Sequence, residues 1–198
     1  MDVTKLLDNN CNIAILGDRH TCKTNLLFWL AKEYRGDRDI IFYAYPRQDI
    51  GFKQIYSLEE LSLITNSIVF MDELQRHIKF YSKRTSDTFL ELLSTMIHNN
   101  NTLVFTTPLT QFITKATDGF LDTYIYTRIS DLGALKNGSK AKRLLQRHSF
   151  IQVTQWSVNL SQGEFMLISD DDKGVYKFPD MKIGKDWIPK KTKKLQKS

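Results

Sequence analysis

Apolar residues along this 198-residue chain fall into short continuous runs separated by polar stretches with helical spacing. The run 13–16 is apolar throughout and closed by Gly17, the pattern of a strand buried on both faces. Residues 23–34 follow as a helix, with Leu26, Leu27, Leu30 and Tyr34 on one face and Gly36 beyond its end. The run 40–45 predicts a second strand stopped by Pro46, and Ser57 with Glu60 has the spacing of a capping box. A third strand is expected over 67–71, a helix over 85–97 and a fourth strand over 103–107. Beyond these the pattern predicts a helix over 109–116, a strand over 123–129 and a basic helix over 139–146. Three more β segments are expected at 150–156, 164–169 and 174–178, the last two joined by an Asp-rich hairpin turn. Strands alternating with helices require crossover connections and a mostly parallel central sheet flanked by helices, an α/β fold. The final strands extend one edge. Residues 1–184 read as a single domain, and 185–198 as a separate basic tail, expected to be disordered.

Between the first strand and first helix lies Gly17-Asp18-Arg19-His20-Thr21-Cys22-Lys23-Thr24. This matches the phosphate-binding loop G-x-x-x-x-G-K-[ST], with Cys22 in place of the second glycine. Backbone N–H groups of such a loop form a nest for phosphate oxygens, and the helix start adds partial positive charge. Gly17, Asp18, Arg19, His20, Thr21, Cys22, Lys23 and Thr24 are therefore the expected phosphate-binding residues of a P-loop NTPase. Lys23 is expected on the β- and γ-phosphates of ATP, and Thr24 on Mg2+. The strand 67–71 delivers Asp72 and Glu73 at its C-terminal end, a Walker B arrangement. Asp72 is the second expected Mg2+ ligand, and Glu73 the residue that activates water. Thr106 and Thr107 close the fourth strand, and Thr107 is expected to take part in catalysis beside the γ-phosphate. The structural alternatives are an ordinary capped helix, an acidic N-cap and the β-propensity of threonine.

Composition narrows the class. No apolar run reaches the ~18 residues of a membrane span, and the N-terminus lacks a secretory pattern. Cys11 and Cys22 sit at opposite ends of the first strand, too far apart for a disulfide, so reduced thiols and a cytoplasmic setting are expected. The net charge of +6 is concentrated in residues 185–198, which hold six lysines and one aspartate. Such a tail suits a polyanion such as nucleic acid, or is simply solvated.

The order of these parts resembles the FtsK–HerA group of P-loop ATPases, which move DNA and include viral genome-packaging ATPases. The resemblance is carried by the loop at 17–24, the Asp72-Glu73 strand, the helix ending near His98 and the strand Phe105-Thr106-Thr107. It continues in Thr127-Arg128-Ile129 and in the glycine-bearing segment 160–167. It implies a homo-oligomeric ring, often hexameric, in which an arginine of one subunit reaches the neighbour's γ-phosphate. Arg128 is the first candidate, with Arg84 and Arg76 behind it. Two departures stand out: Cys22 replaces the loop glycine, and Pro108 rather than glutamine follows the strand-end threonine.

The expectation that follows is an ATP-hydrolysing motor translocating or packaging double-stranded DNA, with Lys140, Lys142 and Arg143 as further backbone contacts. Capsid or other assembly proteins would be its partners, and the host cytoplasm its setting if it is viral. A filamentous-phage-type assembly ATPase and a low-turnover ATP-dependent DNA-binding or loader module are the alternatives.

Overall fold

The computed structural model describes residues 3–9, 11–47, 49–78, 83–108, 115–132, 140–148, 152–154, 157–170 and 172–179. A turn of 3-10 helix, Val3–Asp8, precedes β1 (Asn12–Leu16) and α1 (Lys23–Glu33). Then come β2 (Asp39–Tyr43), β3 (Lys53–Ile55), α2 (Leu58–Leu63), β4 (Ser67–Met71), α3 (Leu74–His77) and α4 (Lys83–His98). The chain continues through β5 (Thr102–Thr107), α5 (Lys115–Asp118), β6 (Thr123–Tyr126), α6 (Lys140–His148), β7 (Glu164–Ser169) and β8 (Lys173–Lys177).

All eight strands form one sheet in the order β3-β2-β4-β5-β1-β6-β7-β8. Neighbours from β3 to β6 are parallel, whereas β7 and β8 add an antiparallel edge. Alternation along the strands divides the core in two. Ile13, Ile15, Ile68, Phe70 and Val104 pack against α1 through Leu26, Leu27, Phe28 and Leu30. Ala14, Leu16, Val69, Met71, Leu103 and Phe105 meet Leu61 of α2, Leu74 of α3, Phe89, Leu93 and Met96 of α4, and Leu144 and Leu145 of α6. Burial on both faces explains why β1, β4 and β5 read as unbroken apolar or threonine-rich runs.

Two strands depart from the sequence pattern. The edge strand β3 has only three residues and gives no periodic signal; it pairs with β2 across a loop, not a helix. β6 ends at Tyr126 and not at 129 because Thr127 and Arg128 turn onto the loop after β1, and Ile129 forms an isolated bridge with Val158. Of the helix expected over 109–116, residues 109–114 lie outside the described residues, and 115–116 open α5 (Lys115–Asp118). Most of the 150–156 segment and all of 185–198 also lie outside them.

At the N-terminal ends of the strands, Arg38 ties several segments together. Its guanidinium donates to Leu7 O (2.8 Å), Thr102 Oγ1 (2.8 Å), Ser67 O (2.9 Å) and Asn100 O (2.7 Å). The opposite, C-terminal ends of β1, β4 and β5 are left to carry chemistry.

Candidate functional site

The loop after β1 is sewn to the end of β6. Thr127 N donates to Leu16 O (2.8 Å) and Asp18 N to Arg128 O (2.9 Å), while Asp18 Oδ2 accepts from Ser130 N (2.8 Å). Thr21 Oγ1 donates to Asp18 O (2.8 Å) and lies 2.7 Å from Thr127 Oγ1. Gly17 is required by this proximity, since a Cβ there would stand 1.8 Å from Thr127 Oγ1. Cys22 caps α1 in the left-handed region at φ 63°, without a side-chain capping bond. A non-glycine residue held there costs roughly 1–2 kcal/mol, the local expense of replacing the motif's glycine. His20, at φ 62°, is left-handed as well.

Lys23 opens α1 and is buried; its ammonium donates to Gly17 O (2.9 Å) and Asp18 O (2.5 Å). Burial lowers its pKa, opposed by the carboxylates of Asp72, Asp18 and Glu73. Thr24, one residue on, places its hydroxyl 3.0 and 3.1 Å from the two Asp72 oxygens. Strand register explains the meeting. Met71 lies opposite Phe105, so Asp72 and Thr106 are the next neighbours at the sheet's upper rim, both on the α1 side.

Thr106 is the residue that joins the acids. Its hydroxyl donates to Asp72 Oδ1 (2.7 Å) and accepts from Glu73 N (2.8 Å). Glu73 itself caps α3 in the left-handed region at φ 50°, and its carboxylate pairs with Arg76 one turn on. His77 Nε2 lies 3.1 Å from Asp72 O, and burial lowers its pKa.

Lys23, Thr24, Asp72, Glu73 and Thr106 thus converge on a cavity of about 800 Å3, also bounded by Arg19, His20, Thr21, Cys22, Gln75 and Arg76. Thr107 does not line it. Residue alternation turns Thr107 toward the α4 face with Phe105, so the threonine beside the acids is Thr106. No sequence signal separates the two, because every position of β5 is buried.

Arg128 is exposed and lies elsewhere. It lines a second cavity of about 190 Å3 with His20, Thr21, Cys22, Leu160 and Gln162, beside its own chain's loop. Arg76 is in the larger cavity, the Arg84 side chain is outside the described residues, and His98 is exposed at the end of α4. Both cysteines are free. Burial pushes the Cys11 thiol up to about 12, whereas Cys22 borders both cavities.

The oxygens of Thr24 and Asp72 suit Mg2+, a hard cation that binds one or two protein oxygens together with phosphates and water. The arrangement can hold a polyphosphate against a buried ammonium, with a carboxylate beside its far end.

No family model matches the chain, and no curated protein matches it in sequence. Solved structures do match in fold. One is B204, the DNA-packaging ATPase of Sulfolobus turreted icosahedral virus, at TM-score 0.61 and 15% identity over 86% of this chain and 98% of that one. A second is the genome-packaging NTPase B204 of Sulfolobus turreted icosahedral virus 2 in complex with AMPPCP, at TM-score 0.59 and 14% identity over 87% and 99%. A third is the cytoplasmic domain of the type VII secretion ATPase EccC of Thermomonospora curvata, at TM-score 0.54 and 11% identity over 89% of this chain and 24% of that one. The chain therefore has the fold of P-loop ATPases, of the kind seen in viral genome-packaging ATPases. No helix among the described residues is long and apolar enough to cross a membrane.

Proposed function

We propose that the protein is an ATP-hydrolysing motor that translocates or packages double-stranded DNA. The observation that carries the ATPase part is the continuous polar chain from Thr24 through Asp72 and Thr106 to the Glu73 backbone, set beside the buried Lys23. In this reading Lys23 exchanges the carbonyls of Gly17 and Asp18 for the β- and γ-phosphates of ATP. Thr24 and Asp72 hold Mg2+, which supplies charge neutralisation on the phosphates. Glu73 orients and deprotonates the attacking water, with Arg76 anchoring its carboxylate at the cavity edge.

Support for the DNA part comes from the packaging ATPases that share the fold and from the charge of the chain. Arg143 and Arg147 are exposed on α6, while Lys140 pairs with Asp170 at 2.9 Å. Contacts of this kind are sequence-independent and weaken steeply with salt. Assembly into a homo-oligomeric ring belongs to the same proposal. The strained Cys22 favours a second reading, a slow ATP-dependent switch on DNA.

ATP turnover measured against added duplex DNA at low salt decides between them. The motor reading expects turnover to rise with DNA, and Glu73→Gln to lose it while ATP still binds. Turnover indifferent to DNA would contradict the motor.

A further inference from the structure

The two cavities at the loop are separate in chemistry but share a wall formed by His20, Thr21 and Cys22. The larger lies toward β4 and β5, where Asp72, Glu73 and Thr106 stand. The smaller lies on the other flank of β1, between the end of β6 and the turn entering β7. A triphosphate laid along the loop with its γ end at Glu73 would point its other end across Cys22 into the smaller cavity.

That cavity has the size of a single heteroaromatic ring system. At about 190 Å3 it is too small for a whole nucleotide. Leu160 gives it a buried apolar surface, and Arg128 brings an exposed planar guanidinium. Glu164 also borders it, but its carboxylate is engaged: it accepts from Ser161 N (3.0 Å) and pairs with Lys177 (3.2 Å). Those two contacts also hold the Glu164 carboxyl below the usual range. The turn is further fixed by Glu164 N on Ser161 O (3.0 Å) and by Phe178 N on Gly163 O (2.9 Å), with Gly163 at φ +80°. Gln162 sits at its exposed tip, and its amide has no hydrogen-bond partner among the described residues.

We propose that this small cavity is a base-reading subsite of the nucleotide site, in which Arg128 stacks on the base and Gln162 selects adenine over guanine. The inference rests on the nucleotide reading above and names the residues that choose the nucleotide. On its Hoogsteen edge adenine presents the N6–H2 donor beside the N7 acceptor, which the side-by-side acceptor and donor of an amide complement. Guanine presents two acceptors at O6 and N7, so one half of the amide would face a like group. A guanidinium plane stacks on any base and therefore adds affinity without selectivity. Arg128 then acts on its own chain's nucleotide, not on a neighbour's γ-phosphate.

The test is calorimetric binding of Mg-ATP, Mg-GTP and Mg-tripolyphosphate to the full chain. The expected order is ATP over GTP by about tenfold, and both over tripolyphosphate. Gln162→Ala and Gln162→Leu, exposed changes at a turn tip that remove both the donor and the acceptor, should each bring ATP and GTP to within about twofold. Arg128→Ala should weaken ATP and GTP alike relative to tripolyphosphate. Equal affinity of the unmodified chain for ATP and tripolyphosphate would overturn the subsite while leaving the phosphate site standing, as would an unchanged ATP-to-GTP ratio in both Gln162 variants. Failure of all three probes to bind would instead overturn the nucleotide reading and this inference with it.

Discussion

Replacing Thr106 by valine removes one hydroxyl and almost no volume, yet that hydroxyl serves two groups at once. It donates to the Asp72 carboxylate at 2.7 Å and accepts from the Glu73 N–H at 2.8 Å, from a position fully shielded from solvent. A hydrogen bond to a charged group contributes about 1.5–3 kcal/mol, and an unmet buried N–H costs a further ~1–3 kcal/mol. Both are discounted here, because Thr24 still bonds Asp72 and water from the cavity can reach Glu73. A net loss of about 2 kcal/mol remains, which lowers the melting temperature of a chain this long by roughly 4–8 °C. Because the hydroxyl also fixes the backbone of Glu73, the acid proposed to activate water, hydrolysis should fall by about tenfold or more, equivalent to ~1.4 kcal/mol of barrier. Thr106→Ser keeps the oxygen and loses a methyl, so it should drop by only about 1 kcal/mol in stability while retaining most turnover. Thermal melts and single-turnover hydrolysis of both variants decide the matter. Wild-type turnover in Thr106→Val, or an equal loss in valine and serine variants, would refute the link.

Two further outcomes follow from the same geometry. Maleimide should label one thiol of the native protein, Cys22, because Cys11 is buried with its thiol pushed up to about 12; Mg-ATP should slow that labelling, and equal rates with and without nucleotide would count against phosphate beside Cys22. Arg38→Met leaves four acceptors without their donor, so unfolding should shift to lower denaturant by about 2–4 kcal/mol with ATP affinity kept, since Arg38 lies at the sheet end away from the cavity.

How much of this was readable in advance depends on where each partner sits. The loop at 17–24 and the Asp72-Glu73 pair were legible because local spacing alone puts a strand before each and a helix after the first. The choice between Thr106 and Thr107 was not, since β5 is buried at every position and only its register with β4 reveals which face each residue takes. The role of Arg38 was likewise hidden: its partners are carbonyls and a hydroxyl that come together only once the sheet is assembled. The same holds for α6, whose first N–H groups are capped by Asp118 from a distant helix. For Arg128 the resemblance implies a role in trans; its place beside its own chain's smaller cavity follows from the turn of 127–128 onto the loop, a long-range contact that no local pattern carries. β3 gives no sequence signal because three residues carry no measurable period.

The proposed activity requires the buried Lys23 to grip a triphosphate. Its most direct measurement is the equilibrium affinity of Mg-ATP for the unmodified chain and for Lys23→Ala, with folding of each confirmed by its melt. Saturable binding is expected for the unmodified chain, and its loss, or a weakening of about a hundredfold or more, in the folded variant. Unaltered affinity in Lys23→Ala would contradict it.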